Sequence, residues 1–512
     1  MPEVLMSNHR AAFAAPAVQR AAEGPAVRPI LQRFFAELNA CQIRYCHWKS
    51  NVRLAQALTA DDDVDLLVDH RSAAKFHELV LKHGFKRVLS RGGMDHPGVF
   101  HAIALDEAQS ELVHLHAYFQ IVSGDSLVKN YRFAVEDALL DDTRVLYGVR
   151  VPSPEAELIL FTLRHALKHA YAVEILLVRR DAKSATEEFA WLRSAADPAR
   201  CVELWRDLFP ELGEDLFHDV LDVFAHEGSS LRMRVQLARK TASLLRGRRR
   251  CGAVAAGLSR ARRVVTLLRN RISARRDFVP ETGGSIIAFV GPKATGKSTL
   301  TNELRRRLGA YYDVVLVHAG KPPATPLTWL PRLLIPAVRK LFPGERSGEY
   351  EKPDRASKKH YSLLYCLRML MLAHDRRVLL TRALRLSTAG AIVISDRYPS
   401  GMTGAIDSSC FGDDALDAAG SGLKRWIMRK ERAAYVRMPK PNYVIRLSAP
   451  IETSIARDAS RLKDGGPDAD AVRRRWTLET GGCYASRTET VRTDRPLEET
   501  VANVVRAAWS QI

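Results

Sequence analysis

Apolar residues in the last part of the chain gather into short strand-like runs with helical stretches between them. The runs are SIIAFVG (285–291), YDVVLVH (312–318), GAIVISD (390–396), NYVIRLS (442–448) and TETVRTD (488–494). A continuous apolar run of strand length predicts a strand buried on both faces. Strands that alternate with helices predict a parallel, doubly wound α/β sheet over 280–512. The turn-rich PETGG at 280–284 marks its start.

The front of the chain is patterned differently. LLV lies within Asp65–Asp69, and ELVHLHAYFQI (111–121) alternates as a half-buried strand does. Phe76, Leu79, Val80 and Leu81 have helical spacing within 72–83, with Ser72 as the expected cap. These signals predict a smaller mixed α/β domain over 30–150. Ser153-Pro154-Glu155 is a helix-start signal. The pattern after it is helical through the region 151–279, with breaks near Pro198 and Pro210. Residues 1–29 are rich in Ala and Pro and read as a disordered leader. They lack the apolar stretch of a secretory signal.

Composition narrows the classes. With 512 residues, 46% hydrophobic and 27% charged, the chain reads as a multidomain globular protein. Seven cysteines without a CxxC pair argue against a zinc ribbon and fit a reducing, cytoplasmic setting. No run of about 18 apolar residues predicts a spanning helix. The net charge of +20 is concentrated. Between Gly228 and Arg276 there are 15 Lys and Arg and no Asp or Glu, which leaves +5 for everything else. The excess describes one segment, with a polyanion contact through 228–276 as its functional reading and a solvated face as its plain one.

The sharpest chemical signal is Gly291-Pro292-Lys293-Ala294-Thr295-Gly296-Lys297-Ser298, followed by Thr299. It fits GxxxxGK[ST], follows a predicted strand and opens a predicted helix, which is the context of a phosphate-binding loop. Glycines let the backbone wrap phosphates, and the helix start adds partial positive charge. Lys297 is placed to reach the β- and γ-phosphates of ATP, and Ser298 to supply a hydroxyl to Mg²⁺. Asp396-Arg397-Tyr398 ends the strand GAIVIS, at the carboxyl edge where α/β sheets bind ligands.

LAHDRRVLLTRALRLSTAGAIVISDRYPSG (372–401) resembles thymidylate kinase, and so do IETSIARDASRLKD (451–464) and TVRTDRPLEETVANVV (490–505). The likeness covers about 285–512. It implies the P-loop nucleoside monophosphate kinase fold and transfer of the ATP γ-phosphoryl group to an acceptor phosphate. By the same likeness Arg376 and Arg397 hold the acceptor's phosphate, Asp396 lies near Mg²⁺, and Arg457 and Arg461 belong to the lid. The chain departs from the pattern at two places. Lys293 stands where the family has an acid that meets the acceptor sugar. Leu372 stands where it has an aromatic that stacks on thymine. Thymidine specificity is therefore not expected. The insert TWLPRLLIPAVRKLF (328–342) is apolar and basic, and its two prolines argue against one regular helix.

At the front, Asp63-Val64-Asp65-Leu66-Leu67-Val68 resembles the DxD strand of the nucleotidyltransferase superfamily. Alternate residues of a strand share a face. The resemblance implies that Asp63 and Asp65 hold a divalent metal, with His114 and His116 where a third acid would stand. Two functions follow from the whole: an ATP- and Mg²⁺-dependent kinase of a phosphorylated small molecule, a nucleotide or a sugar phosphate, or an NTP-binding regulatory or assembly protein with degenerate sites. An active nucleotidyltransferase–kinase fusion stays open, and a homodimer is compatible with the sequence.

Overall fold

The computed structural model describes residues 24–168, 170, 182–225, 229–273, 275–341, 361–460, 469, 472, 473, 476, 484 and 486–512. Contacts divide the chain into two units, Met1–Arg275 and Arg276–Ile512. Both combine helices with sheets, so the chain is α/β.

In the first unit, strands β1 (Tyr45–His47), β2 (Val64–Val68), β3 (Lys86–Ser90), β4 (Val99–Asp106) and β5 (Glu111–Tyr118) lie side by side in the order β1-β2-β5-β4-β3. Only β2 and β5 run parallel; the other neighbours are antiparallel. Residues 30–150 and the following helices are not separate. Trp48, Leu67 and Tyr118 share one core with Leu158, Phe161, Leu163 and Trp205. The helix announced by Ser153-Pro154 is α3 (Pro154–Lys168), after α1 (Pro29–Ala40) and α2 (Ala73–Lys82). Ser72 does not cap α2; Asp69 instead accepts from Arg71 N at 3.0 Å in the turn before it. Residues 1–23 of the expected leader lie outside the described residues. Residues 24–29 belong to the fold: Arg28 Nε donates to Thr59 O at 2.8 Å, and Pro29 opens α1.

The basic stretch forms α4 (Leu231–Leu244) and α5 (Ala253–Ile272). Several of its arginines are structural. Arg260 pairs with Asp125 at 2.8 Å, Arg263 Nη1 donates to Leu127 O at 2.6 Å, and Arg250 Nη1 donates to Lys129 O at 3.1 Å. Arg239, Arg246, Arg262, Arg269 and Arg271 are exposed, and so is an apolar stripe of α5 at Val254, Leu258, Val265, Leu268 and Ile272.

In the second unit, β6 (Ile286–Val290), β7 (Val314–His318), β8 (Ile392–Asp396), β9 (Tyr443–Ser448) and β10 (Arg487–Arg492) form a wholly parallel sheet in the order β7-β8-β6-β9-β10. All five sit where strands are predicted; β6, β8 and β9 read as apolar runs because a strand covered on both faces leaves no polar side to alternate with, while the edge strand β10 is mostly exposed. Helices α6 (Lys297–Leu308), α7 (Trp329–Leu341), α8 (Leu363–Thr388), α9 (Gly422–Val436), α10 (Ile451–Ala459) and α11 (Leu497–Trp509) complete it. The insert is one helix after all. Pro331 falls in the first turn of α7, where no intrahelical N–H is needed, and only Pro336 interrupts the ladder. Among the described residues no helix is long and apolar enough to cross a membrane.

Candidate functional site

Loop 291–296 joins the end of β6 to the start of α6, at the carboxyl edge of the sheet. Two backbone requirements explain its glycines. Gly291 has φ +138°, and a Cβ there would meet Leu447 O at 2.2 Å, so the loop passes directly against β9. Gly296 has φ +84° and turns the chain into α6. Thr295 Oγ1 donates to Pro292 O at 2.8 Å and closes the loop on itself. The first turn of α6 leaves N–H groups without intrahelical partners, so the loop ends in a zone of positive potential.

The side chains are ordered around this loop. Lys297, only 9% exposed, donates to the carbonyls of Gly291 and Pro292 at 2.6 and 2.7 Å. Ser298 Oγ donates to Asp396 Oδ2 at 3.3 Å, while Asp396 Oδ1 is buried with no hydrogen-bond partner among the described residues. Lys293 turns away from the loop mouth and pairs with the buried Asp458 of α10 at 2.7 Å. The ammonium thus ties the loop to α10. Ala294 holds φ +67°, a left-handed conformation uncommon for a residue with a side chain.

A cleft of about 340 Å³ opens beside the loop. Ala294, Thr295, Gly296 and Thr299 form one wall, and Arg457, Thr493 and Arg495 the other. Arg457 Nη2 donates to Thr493 O at 2.6 Å, which holds its guanidinium at the wall. Arg461 lies outside the described residues. Thr493 and Arg495 were not singled out by the sequence, where they read only as the end of a strand and a turn.

On the other side of β8, Arg376 and Arg397 converge on one carboxylate. Arg376 Nη2 meets Asp407 Oδ1 at 2.9 Å, and Arg397 Nη1 meets Asp407 Oδ2 at 3.1 Å. Arg376 is 1% exposed and is also held by Ala319 O at 2.7 Å and by the Tyr435 hydroxyl. Arg397 and Asp407 have φ of +73° and +63°. Such strain persists only where surrounding structure enforces it, and it gathers at functional sites. Next to Arg376, the buried Asp375 accepts from Thr325 and Thr328 and pairs with Arg332 at 3.0 Å, so it anchors the start of α7. Asp407 had no sequence signal; it sits in a Gly- and Ser-rich loop with no period. Its loop is held from α9 by Glu431, which accepts from Ser409 Oγ and Cys410 N at 2.7 and 3.0 Å. Burial pushes the Glu431 carboxyl up to about 7, against those two bonds.

In the first unit Asp63 and Asp65 face His114 and His116, as the register of β2 with β5 requires. His114 Nδ1 is 2.6 Å from Asp63 Oδ1, and His116 Nδ1 is 2.9 Å from Asp65 Oδ1. Beside these carboxylates, where the sequence implies a metal, the Lys49 ammonium stands 2.8 Å from Asp65. Burial raises the Asp65 carboxyl, but Lys49 and His116 outweigh it and hold it well below the usual range. Among the described residues no group of three or more His, Cys, Asp or Glu is arranged to hold a metal.

No family model matches the chain, and no curated protein matches it either.

Proposed function

We propose that the unit 276–512 transfers the γ-phosphoryl group of ATP to a phosphorylated small molecule, as its resemblance to thymidylate kinase implies. The observation that carries this reading is the pair Ser298–Asp396 beside a glycine-rich loop that opens a helix. Asp396 Oδ1, buried and without a partner among the described residues, fits a hard cation such as Mg²⁺, with Ser298 Oγ as the second donor. Mg²⁺ bound there neutralises charge on the β- and γ-phosphates. Lys297 exchanges its loop carbonyls for phosphate oxygens, and loop 291–296 and the helix start hold those phosphates in place. The cleft lined by Thr493 and Arg495 takes the nucleoside end, which puts Arg457 near the phosphates. Arg376 and Arg397 bind the acceptor's phosphate once it replaces Asp407. The exposed arginines of 228–276 meet a polyanionic surface, and the apolar stripe of α5 favours anionic lipid over nucleic acid.

One observation favours the second reading, an NTP-binding regulatory module. Asp407 already neutralises both arginines, and Lys293 is committed to Asp458. Acceptor-dependent ADP release separates the two. A panel of nucleoside monophosphates and sugar phosphates should include at least one that stimulates ADP release well above the ATPase background. Stimulation by none, with ATP binding intact, selects the regulatory reading.

A further inference from the structure

The polar cluster of the first unit has a second half that Asp65 does not explain. Tyr118, 2% exposed at the end of β5, is its centre. The Lys49 ammonium lies 5.5 Å from the Tyr118 ring centroid, and the Lys129 ammonium 5.3 Å from it and 3.5 Å from the hydroxyl. Trp48 packs edge-on against the same ring at 5.1 Å, with the Arg164 guanidinium of α3 over the Trp48 face at 5.2 Å. His116 completes the group at 4.4 Å from Tyr118.

Two cations thus gather about the Tyr118 ring and a third lies over Trp48, and Asp65 is the carboxylate paired within the group. Lys129 and Arg164 have no carboxylate within ion-pair distance among the described residues. A buried donor adds to the imbalance: Trp48 Nε1 has no hydrogen-bond partner there either. Half-buried cations in excess and a buried N–H without an acceptor call for the same thing, a ligand rich in negative acceptor atoms.

The placement is not accidental. Lys129 sits at φ +46°, in a loop whose backbone is clamped by the basic helices. Arg263 holds Leu127 O, Arg250 holds Lys129 O, and Cys251 N donates to Asn130 Oδ1 at 3.0 Å. The structural arginines of the basic stretch therefore fix where the Lys129 side chain starts. Burial, and after it the charge of Lys49, lowers the Lys129 ammonium to about 7. A cation held at that cost without a counter-charge is poised to gain one.

We infer that the first unit carries an anion site for a phosphoryl group, built by Lys49, Lys129, Arg164 and Trp48 beside Tyr118, which works without a metal ion. A phosphoryl group fits better than a carboxylate. It brings up to two charges to a group of cations with one carboxylate among them, and three acceptor oxygens to donors spread over several directions.

The test is hydrogen exchange read by mass spectrometry on the full chain, with 10 mM inorganic phosphate against chloride at equal ionic strength. Peptides covering 45–52 and 125–132 report this site, and a peptide covering 291–298 reports the other unit separately. We expect exchange in the first two to slow at least threefold. Lys129→Gln and Arg164→Gln should each abolish that slowing while the response at 291–298 persists, and Lys129→Arg should restore it. Unchanged exchange elsewhere in the first unit shows that the variants fold. Glycerol phosphate and acetate supply the remaining arms. Protection by phosphate alone assigns free phosphate, and protection by both phosphates assigns a carried phosphoryl group. Equal protection by acetate overturns the phosphoryl assignment. No slowing at either peptide, or slowing that survives both glutamine variants, overturns the site.

Discussion

Replacing Lys297 by Ala should abolish phosphoryl transfer while leaving the second unit folded. In the structure its ammonium holds two carbonyls of its own loop at 2.6 and 2.7 Å. A hydrogen bond from a charged donor contributes about 1.5–3 kcal/mol net, and the freed carbonyls regain water, so the loss in stability should be about 2 kcal/mol. The effect on the nucleotide is larger. Removing one preorganised donor from a developing charge costs about 10²–10³ in rate. Binding is read independently by melting. ATP at one hundred times its Kd stabilises by about 2.7 kcal/mol, and the same concentration after a hundredfold loss of affinity gives about 0.4 kcal/mol. For a unit of this size 1 kcal/mol moves Tm by about 2–4 °C, so the ATP-induced shift should fall from roughly 5–11 °C to roughly 1–2 °C. Lys297→Met, which keeps the apolar arm, should behave alike. ADP release with the best acceptor gives the rate. Unchanged turnover together with an undiminished ATP shift would refute the assignment of this loop.

Five further outcomes are expected. With Leu372 in place of an aromatic, dTMP should not be favoured over dUMP or dCMP as acceptor; a clean dTMP preference in initial rates contradicts the proposed site. Arg376→Gln should raise the acceptor KM by about tenfold or more, since a charge-assisted contact is worth about 1.5–3 kcal/mol, while the ATP KM stays put. Glu431 titrates upward on folding, so its neutral form suits the fold: its contribution is full below about 4.5 and is lost as pH rises through about 7. Glu431→Gln should therefore raise Tm at pH 8 and leave it nearly unchanged at pH 4.5. Finally, Asp63→Asn with Asp65→Asn should leave Mn²⁺ binding by calorimetry unaltered, and vesicles with anionic headgroups should bind through 228–276 with an affinity that falls steeply with salt.

The parallel sheet was legible because burial on both faces writes itself as uninterrupted apolar runs; Ile286–Val290 and Ile392–Asp396 could hardly be read otherwise. The loop before α6 was legible for a different reason, since its glycines answer a backbone need that other residues cannot meet. The partners of the charges were not. Asp407 and Asp458 reach their arginines and Lys293 through folding of distant segments, and no local period marks a long-range ion pair. Lys49 illustrates the cost: the carboxylates in Asp63-Val64-Asp65 imply a cation, and only the fold reveals that for Asp65 the cation is a side chain. Pro331 and Pro336 misled in the other direction, because a proline's effect depends on its position within the helix and not on its presence.

The Asp407 carboxylate, bridging Arg376 and Arg397, sets a charge threshold for whatever is to take its place. A competing carboxylate brings no more charge than the resident one and gains nothing by the exchange. A phosphate monoester carries its second charge above about pH 6, so above that point it outbids the internal occupant and below it does not. A group tethered in the chain thereby acts as a reference weight: selectivity for doubly charged acceptors needs no pocket shaped around the rest of the molecule. Under the proposed function, the arginines would not be left bare between turnovers.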